Sequence, residues 1–166
     1  MPQPFDNVLE PTVVDIIVRA SSCVEGQVNG AVTSERILIA LLEEEVAELL
    51  PLFRKLGITV KSVNREFFSA VETYPVSPDL PNELERSRSN HVSGDLEFIT
   101  LHNRSIALAP IALTVLKNAI MLADQRGRVN VSSGDILRSL LHTSDCTACK
   151  LIENHGLSAS ELLKEL

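Results

Sequence analysis

The chain contains itself twice. Sliding the sequence by about 99 positions lays one half on the other without a gap. Leu9-Glu10-Pro11 then falls on Leu108-Ala109-Pro110, and Val32-Thr33-Ser34-Glu35-Arg36-Ile37-Leu38 on Val131-Ser132-Ser133-Gly134-Asp135-Ile136-Leu137. Leu41-Leu42 meets Leu140-Leu141, Leu52 meets Leu151, Gly57 meets Gly156 and Glu66 meets Glu165. Periodicity and punctuation align together with the identities, which marks a duplication rather than chance. Whatever the first half folds into, the second half folds into also.

Each half reads as four helices. Val13, Ile16, Ile17, Ala20 and Val24 recur at helical spacing, as do Ala112, Val115, Leu116, Ala119 and Ala123. That spacing gives one buried face per helix. A second helix starts behind Thr33 or Ser34, and behind Ser132 or Ser133, whose hydroxyls can accept from first-turn N–H groups. Ile37, Leu38, Leu41 and Leu42 face inward, with Ile136, Leu137, Leu140 and Leu141 as their counterparts. A third helix begins near Glu48, tolerates Pro51 in its first turn and ends before Gly57. Its counterpart spans about Asp145 to His155 and stops at Gly156. Fourth helices follow Thr59 and Ser158. No stretch shows sustained strand-like alternation. The expected fold is all-α: two pseudo-twofold-related four-helix repeats, about eight helices, stacked to bury one another's apolar faces.

The repeats span about 8–72 and about 106–166 in a single domain. Between them, a linker of about 73–105 carries Pro75, Pro78, Pro81 and Gly94, the polar run Ser87-Arg88-Ser89-Asn90, and one short apolar piece, Leu96-Glu97-Phe98-Ile99-Thr100-Leu101. Net charge is −7, so a phosphate backbone is repelled on average and nucleic acid is not an expected partner. No apolar run approaches the roughly 20 residues of a membrane span, and Met1-Pro2-Gln3-Pro4 does not open a signal peptide. Three cysteines cannot all pair, so the reading is a reduced, cytoplasmic protein away from membranes.

The order long helix, then Thr33-Ser34-Glu35-Arg36-Ile37-Leu38-Ile39-Ala40-Leu41-Leu42, then Leu52-Phe53-Arg54-Lys55-Leu56-Gly57-Ile58, resembles the Clp amino-terminal repeat. That module caps the AAA+ unfoldases of Clp proteases and disaggregases. The resemblance covers both halves and omits the linker. It implies a non-catalytic interaction domain that binds adaptors or substrate proteins, or Clp machinery itself, and needs no cofactor. A free-standing regulator of a Clp complex is the alternative form. Some members bind phosphorylated arginine through the Glu of the second-helix motif and a Thr heading the first helix. Here Glu35 is kept, but Glu10 stands at the Thr position, and the second half has Ala109 and Gly134. A phosphate would meet the carboxylate of Glu10, so phosphoarginine binding is not expected. The residues singled out for partner binding are Glu10, Glu35, Arg36 and Phe68.

Other chemistry is sparse. No P-loop, Gly-x-Gly-x-x-Gly, His-Glu-x-x-His or Gly-x-Ser-x-Gly run occurs, so neither ATP turnover nor hydrolase chemistry is expected. Cys146-Thr147-Ala148-Cys149 opens a helix, where a thiol pKa can fall, and is the basis of a rival redox reading. Against it, no strand precedes the motif, and Cys23, Cys146 and Cys149 align with Leu122, Ala47 and Leu50, as core residues would. A metal would have to recruit His142, His155 or Cys23 in a spacing that does not suit zinc, and no metal is expected. His91 and His102 fall in the linker, and His155 in a partly buried helix position. Glu43-Glu44-Glu45 reads as a solvated turn.

Overall fold

The computed structural model describes residues 5, 7–22, 30–44, 46–63, 65, 96–143, 146–156 and 158–166. The first repeat holds α1 (Pro11–Ser22), α2 (Ser34–Glu43) and α3 (Leu50–Leu56), followed by a helical turn over 60–63. A two-stranded ribbon follows, β1 (Glu97–Leu101) and β2 (Arg104–Leu108). The second repeat holds α4 (Pro110–Gln125), α5 (Ser133–His142), α6 (Thr147–Glu153) and α7 (Ala159–Glu165). The helical class expected from periodicity is the class observed.

The apolar stripes build the core. Ile16, Ile17, Ile37, Leu38 and Leu41 are fully buried, and so are Leu116, Ile136, Leu137 and Leu140. All belong to one continuous apolar cluster to which both repeats contribute. Val24 of the expected first stripe lies outside the described residues.

Two short backbone joints tie the repeats together. Leu9 pairs in parallel with Val131: the Glu10 N–H donates to the Val131 carbonyl at 3.0 Å, and the Val131 N–H to the Val8 carbonyl at 2.8 Å. Val32 pairs in the same way with Leu108: the Ala109 N–H donates to the Val32 carbonyl at 2.9 Å, and the Val32 N–H to the Ala107 carbonyl at 2.9 Å. The offset that aligns the sequence turns one joint into the other. Each repeat thus pairs the residue two before its first helix with the residue two before the other repeat's second helix. Four backbone N–H groups and four carbonyls are thereby satisfied across the seam.

Helix ends mostly follow the expected punctuation. Gly57 and Gly156 take φ of +66° and +97°, conformations that carry little cost only without a Cβ. Ser132 and Ser158 each form a capping box, with Asp135 and Glu161. Thr59 and Ser62 make the equivalent reciprocal pair, at 3.1 and 2.9 Å. Thr33 is the N-cap of α2 but makes no side-chain cap bond, contrary to expectation. The counterpart of the third helix is also shorter than expected, Thr147–Glu153.

The ribbon is the larger departure. Part of the stretch read as linker, together with the residues just after it, pairs in antiparallel register from Glu97↔Leu108 to Leu101↔Arg104. Ile99, Leu101, Ile106 and Leu108 face the core. Alternation over only five residues per strand is too short to stand out. The turn also lacks glycine. His102 and Asn103 carry it at φ +46° and +59°, the two left-handed residues that a tight two-residue hairpin demands. The remainder of the expected linker, with its prolines and His91, lies outside the described residues.

Candidate interaction site

Three of the four residues singled out for partner binding lie among the described ones. Glu10 is half-buried at the head of α1, and its carbonyl accepts from the N–H groups of Val13 and Val14. Its backbone N–H takes part in the Leu9–Val131 joint, at the seam between repeats. Glu35 lies in the first turn of α2 and is only 8% exposed. The Ser34 hydroxyl donates to its Oε2 at 3.1 Å, which ties down the carboxylate where a helix dipole also favours it. Arg36 follows, half-buried. Among the described residues no ion pair joins Arg36 to Glu10 or Glu35. Phe68 lies outside the described residues.

The matching region of the second repeat is more elaborate. Asp135, counterpart of Arg36, is fully buried in the first turn of α5. Its Oδ2 accepts the Ser132 N–H at 3.0 Å and the Ser132 hydroxyl at 2.9 Å. Its Oδ1 accepts from Arg128 Nη2 at 2.8 Å. Arg138 Nη1 and Arg126 Nη1 stand farther off, at 3.7 and 3.9 Å from the same oxygen. Arg128 also donates to the Ser132 hydroxyl oxygen at 3.1 Å, and Arg138 to the carbonyl oxygen of Leu166. Burial, and then the charge of Arg126, lower the Arg138 pKa from its ordinary value; Asp135 and Glu48 oppose that shift. Gly134 leaves the space Arg138 uses, since a Cβ there would come within 3.3 Å of Arg138 Nη1.

The sequence reading did not anticipate this cluster. Its signal was present as the spacing Ser132-x-x-Asp135, a helix-start pattern, with Arg126 and Arg128 just upstream. Spacing locates the cap but not the arginines that fold back onto it.

The thiols stand apart from any such surface. Cys146 and Cys149 are free and buried. Cys149 Sγ donates to the Leu141 carbonyl at 3.8 Å, and burial pushes its pKa up to about 11, with the charge of Glu153 adding to the effect. A nucleophilic or redox cysteine needs the opposite shift, so this geometry argues against the redox reading. Among the described residues no group of three metal-ligating side chains converges. His155 bridges the repeats: Nδ1 lies 2.9 Å from the Leu151 carbonyl and Nε2 3.1 Å from the Ser62 hydroxyl. The acidic turn is used structurally in part. Arg19 on α1 reaches Glu44 at 2.5 Å and Glu43 at 3.9 Å, an exposed pairing worth about 0.5 kcal/mol. Among the described residues no helix is long and apolar enough to cross a membrane.

No protein-family model matches the sequence, and no curated protein matches it. Solved structures do. The Hsp104 N-terminal domain from Candida albicans superposes with a TM-score of 0.59 at 18% identity, over 92% of this chain and 85% of that one. The N-terminal domain of the ClpV1 ATPase from E. coli EAEC Sci1 T6SS gives 0.58 at 19%, over 94% and 82%. A structure described as a peptide from the EAEC T6SS Sci1 SciI protein gives 0.58 at 19%, over 94% and 85%. At these identities the likeness is one of architecture, and this chain has the fold of a Clp amino-terminal domain.

Proposed function

We propose that this chain is a non-catalytic protein-interaction module that receives adaptor or substrate proteins for an ATP-driven Clp machine. The observation that carries the reading is the match of fold over more than nine-tenths of the chain to the N-terminal domains of two such ATPases. One neighbour is described by a peptide, which is the kind of ligand a helix-faced module takes. Glu10, Glu35, Arg36 and Phe68 contribute to the binding surface, with apolar contacts supplying affinity and the charges selecting among partners. The chain acts either as the head of a large ATPase or as a separate regulator of one.

The test is a graft. The chain is fused to a Clp ATPase whose own N-terminal domain has been removed, and unfolding of a tagged substrate is followed. Gain of turnover for substrates that the headless ATPase ignores, lost again in Arg36→Glu, supports the reading. Unchanged turnover with a folded graft, or chemical turnover by the isolated chain, overturns it.

A further inference from the structure

The cluster around Asp135 carries more positive charge than its fold requires. Three guanidinium groups converge on one carboxylate oxygen, and only Arg128 lies within hydrogen-bond distance of it. Asp135 has already spent its other oxygen on Ser132. Three guanidinium groups therefore share the one carboxylate of Asp135, with Arg138 also bonded to the main-chain oxygen of Leu166, in a chain whose net charge is −7. The exposed Glu48 also acts on Arg138, opposing the lowering of its pKa.

The duplication supplies an internal control. The fold builds this helix start twice, and the cluster once. At the places of Arg126, Arg128, Asp135 and Arg138, the first repeat has Gln27, Asn29, Arg36 and Ile39. There α2 begins at Thr33 with no side-chain cap bond at all. Starting this helix thus needs no arginine, and satisfying a buried cap carboxylate needs about one. Of the other two guanidinium groups, Arg138 is held by the main-chain oxygen of Leu166, and Arg126 is left without a structural task of that kind.

They are also placed to meet a ligand. The Arg138 side chain is only 11% exposed and lies at the base, while those of Arg126 and Arg128 are 43% and 39% exposed. A guanidinium has five N–H donors in a planar fork that suits oxyanions. Arg128 spends two of its donors here, and among the described residues Arg126 has no partner closer than 3.9 Å. The turn that carries both, residues 126–130, is exposed throughout.

We propose that Arg126, Arg128 and Arg138 form an oxyanion site on the second repeat, matched in charge to a phosphate dianion. The ligand is free phosphate or a phosphoryl group carried on a side chain. The site goes beyond the interaction-module reading and does not depend on it, because its simplest ligand is an ion.

The experiment follows backbone amide shifts of the whole chain during titration with sodium phosphate, at constant ionic strength set by chloride. Saturable shifts confined to residues around 126–138 are expected. Arg126→Gln, an exposed change that leaves the Arg128–Asp135 pair in place, weakens phosphate by about tenfold with the melting temperature unchanged. Lys117→Gln, which removes one exposed charge elsewhere on the second repeat, leaves the affinity intact. A phosphoserine peptide that binds more tightly than both phosphate and its unphosphorylated form assigns the side-chain source, and equal affinity for peptide and ion assigns the free ion. Absence of saturable shifts, or equal affinity in Arg126→Gln and the parent chain, overturns the proposal.

Discussion

The hydroxyl of Ser139 on α5 donates to the backbone carbonyl of Val115 on α4 at 2.6 Å, in a wholly buried setting. Val115 and Ser139 stand at the places of Ile16 and Ala40 in the first repeat. The same helix contact is therefore made once with a polar bond and once without. Because the carbonyl lies in a helix interior and has a helical partner, Ser139→Ala should cost only about 1 kcal/mol, read as a lower urea midpoint at constant slope. A loss several times larger would mean that the hydroxyl holds the two helices in register.

Truncating the stripes should cost more. Leu116 and Ile17 are counterparts under the repeat, and both are fully buried. Leu116→Ala and Ile17→Ala should each lose about 2–5 kcal/mol in equilibrium unfolding, against under about 0.5 kcal/mol for Met121→Ala on the exposed face of α4.

The thiols should be silent in the folded chain. With a pKa of about 11, Cys149 carries roughly one thiolate in ten thousand molecules at neutral pH. In a Cys23→Ser background, alkylation of Cys146 and Cys149 should be at least about tenfold slower in buffer than in urea. Rapid stoichiometric labelling of the native chain would revive the redox reading.

Acid should loosen α7 through Glu161. Its bonds to the Ser158 N–H and hydroxyl lower its pKa below the ordinary carboxylate range. A depressed folded pKa contributes stability above the unfolded value, lost as pH falls through the folded one. Amide protection at Ser158–Leu162 should decline over that acid window. Glu161→Gln should keep the cap and flatten the pH dependence, because an amide oxygen accepts the same bonds without titrating.

The hairpin turn should resist branched side chains. Asn103 sits at φ +59°, so Asn103→Val should destabilise the ribbon by about 1–2 kcal/mol and Asn103→Gly should be neutral or mildly stabilising, both measurable by thermal melts.

Helices were legible because their signals are local. Ser158 with Glu161, and the glycines at 57 and 156, announce their roles within a few residues. The duplication was legible because two sequences had to obey one pattern. The ribbon was not, since its information is shared between strands joined by His102 and Asn103 rather than by a glycine turn. The arginine cluster was hidden for a related reason. Arg126 and Arg128 precede α5 and Arg138 lies a turn inside it, and only the folded backbone brings them to one oxygen.

The crossed joints Leu9–Val131 and Val32–Leu108 carry a consequence for how the molecule comes apart. Each half completes its own edge only with backbone borrowed from the other, so neither half is a finished unit. A nick between residues 66 and 95 removes none of the four hydrogen bonds across the seam. The severed fragments should therefore stay together as a complementing pair, and should reassemble when mixed.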